Sequence, residues 1–238
     1  MVTVAAAAAS YDDEVHSRAA LREAFGDSSD SESDAPRGAA STPPVHGEDR
    51  ERWRWTAVAG VRGLWLCAAF LSPDEQSRLL AAIQREEWFS DAHNQAMRFG
   101  DLPPWAVELS ALVREAICVG SVDDASVGTG WMNEDEDACP LPSDLLWREP
   151  LFDQLIANTY KPGEGICAHV DLMRFDDGIV IVSLESACVM RFSREGDARY
   201  HWKHEINRKP GAQLWNGREL EQQRRTSVTL RKLRASPN

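Results

Sequence analysis

The spacing of apolar residues changes character at about residue 153, and that change limits the folds open to the chain. Upstream, apolar side chains recur at three- and four-residue steps; downstream they recur at every second position, the period of a strand with one face buried. Gln154–Tyr160, Ile166–Asp171, Ile179–Leu184, Ala187–Phe192 and Thr226–Leu233 all read as strands. They are separated by turn-forming runs at Pro162-Gly163-Glu164-Gly165, Asp176-Asp177-Gly178 and Pro210-Gly211. Upstream, Ser72-Pro73-Asp74-Glu75 predicts a helix start. Ser72 suits the cap, Pro73 the first helical position, and Glu75 the reciprocal half of a capping box. Leu79, Leu80 and Ile83 continue that helix; Trp105, Leu109, Leu112, Val113 and Ile117 make a second one after Pro103-Pro104. Trp53 to Phe70 supplies one or two strands, and the acidic, proline-bearing stretch up to Pro150 reads as loop. Two helices before a strand-rich half define an α+β fold, with the helices on one face of a sandwich or barrel.

Residues 1–50 carry an alanine run, then Ser, Asp, Glu, Gly and Pro with few large apolar residues. That composition predicts a disordered tail, leaving 51–238 as one domain. The nine Trp all lie after residue 52, which agrees with that division. The net charge of −12 argues against nonspecific nucleic-acid binding as the whole function, although residues 191–238 carry 12 basic against 5 acidic residues. The five Cys, at 67, 118, 139, 167 and 188, form no CxxC pair, so they read as reduced thiols of the cytoplasm or nucleus. The first ten residues lack a basic leader segment, and no apolar run is long enough to cross a bilayer.

The chemistry concentrates in Asn158 to Asp171 and again near the end. On a strand, His169 and Asp171 point the same way, with Ile166, Ala168 and Val170 expected toward the core. One imidazole and one carboxylate at that spacing form two corners of a facial metal site; a second imidazole completes a 2-His-1-carboxylate triad that leaves open positions. His204, in Trp202-Lys203-His204-Glu205-Ile206, is the candidate, with His201 as a rival. Taken alone, His-x-Asp is more often structural than metal-binding. Asn158 and Tyr160 share one strand face, and Arg225, Ser227, Thr229 and Arg231 share another. Two guanidinium groups are costly to bury without anionic partners, and a dicarboxylate such as 2-oxoglutarate is such a partner. The plainer alternative is a solvent-exposed strand face. His16, His46 and His93 read as surface or tail residues, and Trp53, Trp55, Trp65, Trp105 and Trp147 as core or interface aromatics.

In this order, Asn158, Tyr160, Pro162-Gly163, His169, Asp171, His204, Arg225 and Arg231 resemble the AlkB family of dioxygenases, over roughly residues 60–233. The resemblance implies a double-stranded β-helix (jelly-roll) core, with Fe(II) on His169, Asp171 and His204. It implies 2-oxoglutarate as co-substrate, its 5-carboxylate on Arg225, with Arg231, Asn158, Tyr160 and Ser227 completing the site. Met97-Arg98-Phe99-Gly100 looks like the family's lid over the substrate nucleotide, so Arg98, Phe99 and Gly100 are expected there. Asp177 to Phe192 looks most like the branch that acts on tRNA, without that branch's flanking RNA-recognition and methyltransferase domains. One departure stands out: Asp171 and His204 are 33 residues apart, shorter than the family pattern by one arm of a hairpin, about 5–6 residues. One core strand is therefore expected to be missing.

The implied activity is oxidative demethylation or hydroxylation of a modified base, in RNA such as tRNA or in alkylated DNA. Two rivals remain at this stage: the same chemistry on a protein or small molecule, or an iron-free binding protein.

Overall fold

The computed structural model describes residues 3–7, 52–61, 63–123, 139–172, 174–194, 202–208, 211–215 and 217–234; for 3–7 and Arg194 only the backbone is described. Along the chain the strands are β1 (Thr3–Ala7), β2 (Arg54–Ala57), β3 (Trp65–Ala68), β4 (Gln95–Phe99), β5 (Ser121–Val122), β6 (Gln154–Tyr160) and β7 (Ile166–His169). They continue as β8 (Ile179–Leu184), β9 (Met190–Arg194), β10 (Trp202–Ile206), β11 (Gln213–Trp215), β12 (Arg218–Leu220) and β13 (Arg225–Arg231). The helices are α1 (Pro73–Arg85), α2 (Pro104–Val119) and the short α3 (Ser143–Leu146).

Eight strands form one sheet in the order β4-β6-β13-β8-β1-β3-β2-β5; β7-β10-β9 form a second sheet, and β11-β12 a hairpin. All pairings are antiparallel except the short β2–β5 pair. The fold is thus mixed α+β and strand-rich, as the change of period implies.

Local chemistry explains the helices. The Ser72 hydroxyl accepts from the Glu75 amide at 3.3 Å and the Glu75 carboxylate accepts from the Ser72 amide at 2.8 Å, closing the expected capping box. Helix α2 begins at Pro104, where a missing amide costs nothing. Leu79 and Ile83 of α1, and Trp105, Leu109 and Val113 of α2, join Leu155, Val180, Val182, Leu184, Val228 and Leu230 in one core. Apolar burial of this kind contributes about 1.5–3 kcal/mol per large side chain. Trp53 and Trp55 are fully buried because their indole N–H groups have acceptors, the carbonyls of Phe70 at 2.9 Å and Ala116 at 3.0 Å.

The central strand β13 shows how the sheet divides. Thr226, Val228 and Leu230 stand beside Leu184, Val182 and Val180 on one side and Thr159, Ala157 and Leu155 on the other. That face packs under the helices. The opposite face carries Arg225, Ser227, Thr229 and Arg231, and all seven residues of β13 are buried. A solvent-exposed arginine face is therefore excluded.

Four expectations are corrected. Thr3–Ala7, assigned by composition to the disordered tail, forms β1 inside the large sheet. Its backbone has partners on both sides, and backbone pairing needs no large side chains. Strand β7 ends at His169, so Asp171 lies just beyond it, and Ala168 is exposed rather than in the core. Of the two readings for Trp147, core or interface, its exposure excludes only the first; the Arg114 guanidinium lies 5.8 Å from its ring centre. The stretch expected to be all loop before Pro150 contains β5 and α3; its residues 124–138 lie outside the described residues, as do His16, His46 and His201.

Candidate metal centre and its polar cradle

Two glycines set the approach to the site. Gly163 has φ +87° in the turn after β6, a conformation that favours glycine. Its amide donates to the Gln222 side-chain carbonyl at 2.7 Å. At Gly165 an added Cβ would lie 2.2 Å from the Ile206 carbonyl oxygen. Only glycine lets β10 come this close to the start of β7, and this pairing sets His204 directly opposite His169.

There the two imidazoles lie 4.2 Å apart between ring centres. The nearest His204 nitrogen, Nε2, is 3.8 Å from Oδ2 of Asp171. One ligand atom from each of His169, Asp171 and His204 lies within 4.8 Å of the others. Two imidazoles and a carboxylate are the donor set suited to non-haem iron. Ligands around one such ion sit roughly 3 Å apart, given bonds of about 2.0–2.2 Å, so loading requires only a small contraction.

The surroundings orient these groups as ligands. His169 Nδ1 is 2.8 Å from the Cys167 carbonyl; as donor in that bond, Nδ1 carries the proton and Nε2 keeps its lone pair. Arg231 pairs with Oδ1 of Asp171, while Oδ2 is turned to His204. Burial pushes the His204 imidazole below its ordinary value; Asp171 opposes this, and His169 and Arg231 reinforce it. His204 is therefore neutral at neutral pH, the form that binds a metal.

The polar face of β13 forms the adjoining cradle. Arg225 is only 4% exposed; its Nε and Nη2 donate to the Ser183 hydroxyl at 3.2 and 2.8 Å. Its Nη1 is buried with no partner, as is Arg231 Nε. A buried guanidinium with an unused donor costs free energy, so an anionic ligand fits this position. Tyr160 packs with its ring centre 5.3 Å from the Arg225 carbon. Burial raises its phenol above the ordinary value, against the lowering effects of Arg225 and a hydrogen bond with Ser227. Tyr160, Arg225, Ile206 and Cys188 border a small recess. Asn158, opposite Ser227 in register, accepts from the Gln95 amide at 2.7 Å.

Arg98, Phe99 and Gly100 lie at the end of β4, which is paired to β6 along the edge of the large sheet. This expected lid is thus anchored as a strand, and only Gly100, at φ +74°, leaves it. Arg98 stacks on Trp88, 4.5 Å from the ring centre. The half-exposed Phe99 faces Arg174 at 5.2 Å, Arg174 also faces Phe175 at 5.1 Å, and Phe175 faces Arg231 at 4.9 Å. A continuous stack therefore runs from the end of β4 to the arginine that holds Asp171.

Sequence reasoning missed Ser183, Arg174 and Gln222. Ser183 carried a signal, a lone hydroxyl within the apolar run Ile179–Leu184. Arg174 and Gln222 carried none, since their partners are 75 and 59 residues away in sequence. His93 is exposed and bonded locally to Ser90, as a surface residue should be.

No protein-family model matches the chain. It is similar to the uncharacterized protein L905 of Acanthamoeba polyphaga mimivirus, 23% identical over 76% of this chain and 90% of that protein. It is also similar to the alkylated DNA repair protein ALKBH8 homolog of Arabidopsis thaliana, 22% identical over 74% of this chain and 60% of that protein. A third relative is the tRNA (carboxymethyluridine(34)-5-O)-methyltransferase alkbh8 of Xenopus tropicalis, 26% identical over 74% of this chain. The chain spans only 32% of that last protein's length. These distant similarities support the AlkB-like resemblance, and no helix among the described residues is long and apolar enough to cross a membrane.

Proposed function

We propose that the chain is an AlkB-like dioxygenase that uses Fe(II) and 2-oxoglutarate to oxidise a modified base in nucleic acid, on a jelly-roll core. The observation that carries this reading is the convergence of His169, Asp171 and His204, joined through Arg231 on Asp171 to the strand face that also carries a buried Arg225 with an unpartnered Nη1. Metal donors alone would fit many activities; a metal group that shares a strand face with a buried, incompletely paired guanidinium fits this co-substrate.

His169, Asp171 and His204 would hold the iron. Fe(II) with 2-oxoglutarate and oxygen supplies the power to hydroxylate a substrate C–H bond, and an N-methyl group so hydroxylated leaves as formaldehyde. The Cys167 carbonyl fixes the tautomer of His169 and Arg231 fixes the turn of the Asp171 carboxylate, so the ligands need little reorganisation. Arg225 would receive the far carboxylate of the co-substrate, with Tyr160, Ser227, Asn158 and Arg231 completing its site. The buried setting strengthens that ion pair by excluding water. Arg98, Phe99 and Gly100 would face the substrate base. The relatives' names, alkylated DNA repair and tRNA modification, favour a nucleic-acid substrate, in RNA such as tRNA or in alkylated DNA, and hence action in the cytoplasm or nucleus.

The test is release of succinate and formaldehyde from methylated tRNA and oligonucleotides with Fe(II) and 2-oxoglutarate. His169→Ala is expected to bring turnover to background and to abolish iron binding; turnover unchanged by it would sink the proposal. A second reading, the same chemistry on a protein or small molecule, is favoured by the acidic residues that dominate 51–190. Iron- and 2-oxoglutarate-dependent turnover without salt-sensitive nucleic-acid binding would select it. Purified protein that takes up no iron would instead point to a binding role.

A further inference from the structure

The sheet position next to β8 is filled from an unexpected part of the chain. Strand β9 ends at Arg194 and β10 begins at Trp202, and the two are paired neighbours in the second sheet. Residues 195–201, which join them, lie outside the described residues. This is where the short Asp171–His204 spacing predicted a missing core strand. In the large sheet, the place between β8 and β3 is taken by Thr3–Ala7.

We propose that the gap between β3 and β8 is a strand-acceptor site, filled by the chain's own Thr3–Ala7, and that the Ser183–Arg225 cradle depends on its being filled. Three observations carry this. Strand β1 is antiparallel to both neighbours, with Thr3 to Ala6 opposite Ala68 to Trp65 and Thr3 to Ala7 opposite Ser183 to Ile179. Every backbone group of such an inserted strand has a partner on one side or the other, the mode by which extended peptides add to sheets. Without it, β3 and β8 would each show an open edge, bordered by the buried Trp65, Cys67, Val180 and Val182; open apolar edges promote aggregation.

Second, the sequence of the segment suits the slot. Val4 is paired in register with Cys67 and Val182, and Ala6 with Trp65 and Val180, four partners that are all buried.

Third, the slot adjoins the cradle. Thr3 is opposite Ser183, whose hydroxyl receives both bonds from Arg225, while Ser227 of β13 lies on the other side of Ser183. With β1 in place, β8 is an interior strand and Ser183 is held from both sides. With β1 withdrawn, β8 becomes an edge strand and the Arg225 anchor loosens. The link to 2-oxoglutarate rests on the proposed function; the strand-acceptor site does not.

The experiment is hydrogen exchange on the full chain and on Ala5→Pro. In an interior strand every amide is used, so proline must remove a ladder bond and displace the strand. Amides of β3 and β8 that face β1 should exchange at least about 100-fold faster in the variant, while those of β6 and of β8 facing β13 stay protected. A synthetic peptide of residues 1–10 in excess should restore protection. Equal exchange in the two proteins would overturn the proposal. Should Ala5→Pro fail to fold, Ala5→Val decides: its higher strand propensity should slow the same amides, and unchanged or faster exchange overturns it. Titration with 2-oxoglutarate separates the readings. Exchange changes with weakened binding in Ala5→Pro support both, whereas exchange changes with no binding even in the parent chain leave the strand site standing and remove the co-substrate role.

Discussion

The two faces of β13 are both buried and opposite in chemistry. On one face Val228 and Leu230 lie in the helix-covered core; on the other Arg225, Ser227 and Arg231 line the proposed site. Both faces are buried, but for opposite reasons. The apolar face is buried because exclusion of water stabilises it. The polar face is buried at a cost, met in part by Ser183, Tyr160 and Asp171 and left open at Arg225 Nη1 and Arg231 Nε. Because a strand alternates, stability and chemistry are interleaved residue by residue and can be separated by mutation.

Leu230→Ala should therefore cost about 2–5 kcal/mol in unfolding free energy and leave iron affinity unchanged under conditions where the protein stays folded. Denaturant unfolding and iron titration on one sample measure the two quantities. A fall in iron affinity would show that the apolar face is coupled to the site. Arg225→Met is the mirror experiment. The KM for 2-oxoglutarate should rise about 10–100-fold, the equivalent of a charged hydrogen bond worth about 1.5–3 kcal/mol. Stability should stay level or increase, since replacing a buried, incompletely paired charge by an apolar side chain is often neutral or better. A large loss of stability with unchanged KM would make Arg225 structural and end the distinction between the faces.

How much of this was legible in sequence follows the same division. The capped start of α1 was readable because Ser72, Pro73 and Glu75 act on one another within four residues. The shared face of Arg225 and Arg231 was readable from period two, and Thr226–Leu233 was placed within two residues at each end. Burial of those arginines was open, because alternation gives the face and not what covers it. The site triad emerged as a set of residue types with suggestive spacing, but their meeting depends on the β7–β10 register, which Gly165 permits at a distance of 41 residues from Ile206. Most hidden was β1: five residues of low-complexity composition pair with strands some 60 and 180 positions away, and no local pattern announces a partner that remote.

A smaller effect should come from acid on the helical side. Burial acts to raise the Glu75 carboxyl, but hydrogen bonds from the Ser72 backbone and hydroxyl, together with Arg52, outweigh it and hold the group below its ordinary value. A carboxyl depressed in the folded state contributes stability that is fully present above its unfolded value of about 4.3 and lost as pH falls through the folded one. Glu75→Gln should thus lower the melting temperature near neutrality, by the equivalent of at most about 1 kcal/mol. The difference from the parent should shrink below about pH 4.3. A gap that stays constant through this range would mean that the box works without its charge.

The smallest effect, and the most diagnostic for the polar side, concerns Arg174. Its guanidinium lies between the rings of Phe99 and Phe175, and Phe175 in turn lies under Arg231, the partner of Asp171. An exposed cation–ring contact is worth about 0.5–1 kcal/mol, so Arg174→Ala should loosen the end of β4 without unfolding anything. If the stack serves only to place Phe99 over the substrate base, the KM for the nucleic-acid substrate rises about 2–5-fold and that for 2-oxoglutarate does not move. Were the stack to transmit strain to Arg231, both constants would move together, since in the proposed function Asp171 and the co-substrate share that guanidinium. Arg174→Lys discriminates further: it keeps the charge but loses the flat surface that lies between two rings. Recovery by Lys would assign Arg174 to a phosphate of the substrate, and no recovery would assign it to the stack that anchors the lid.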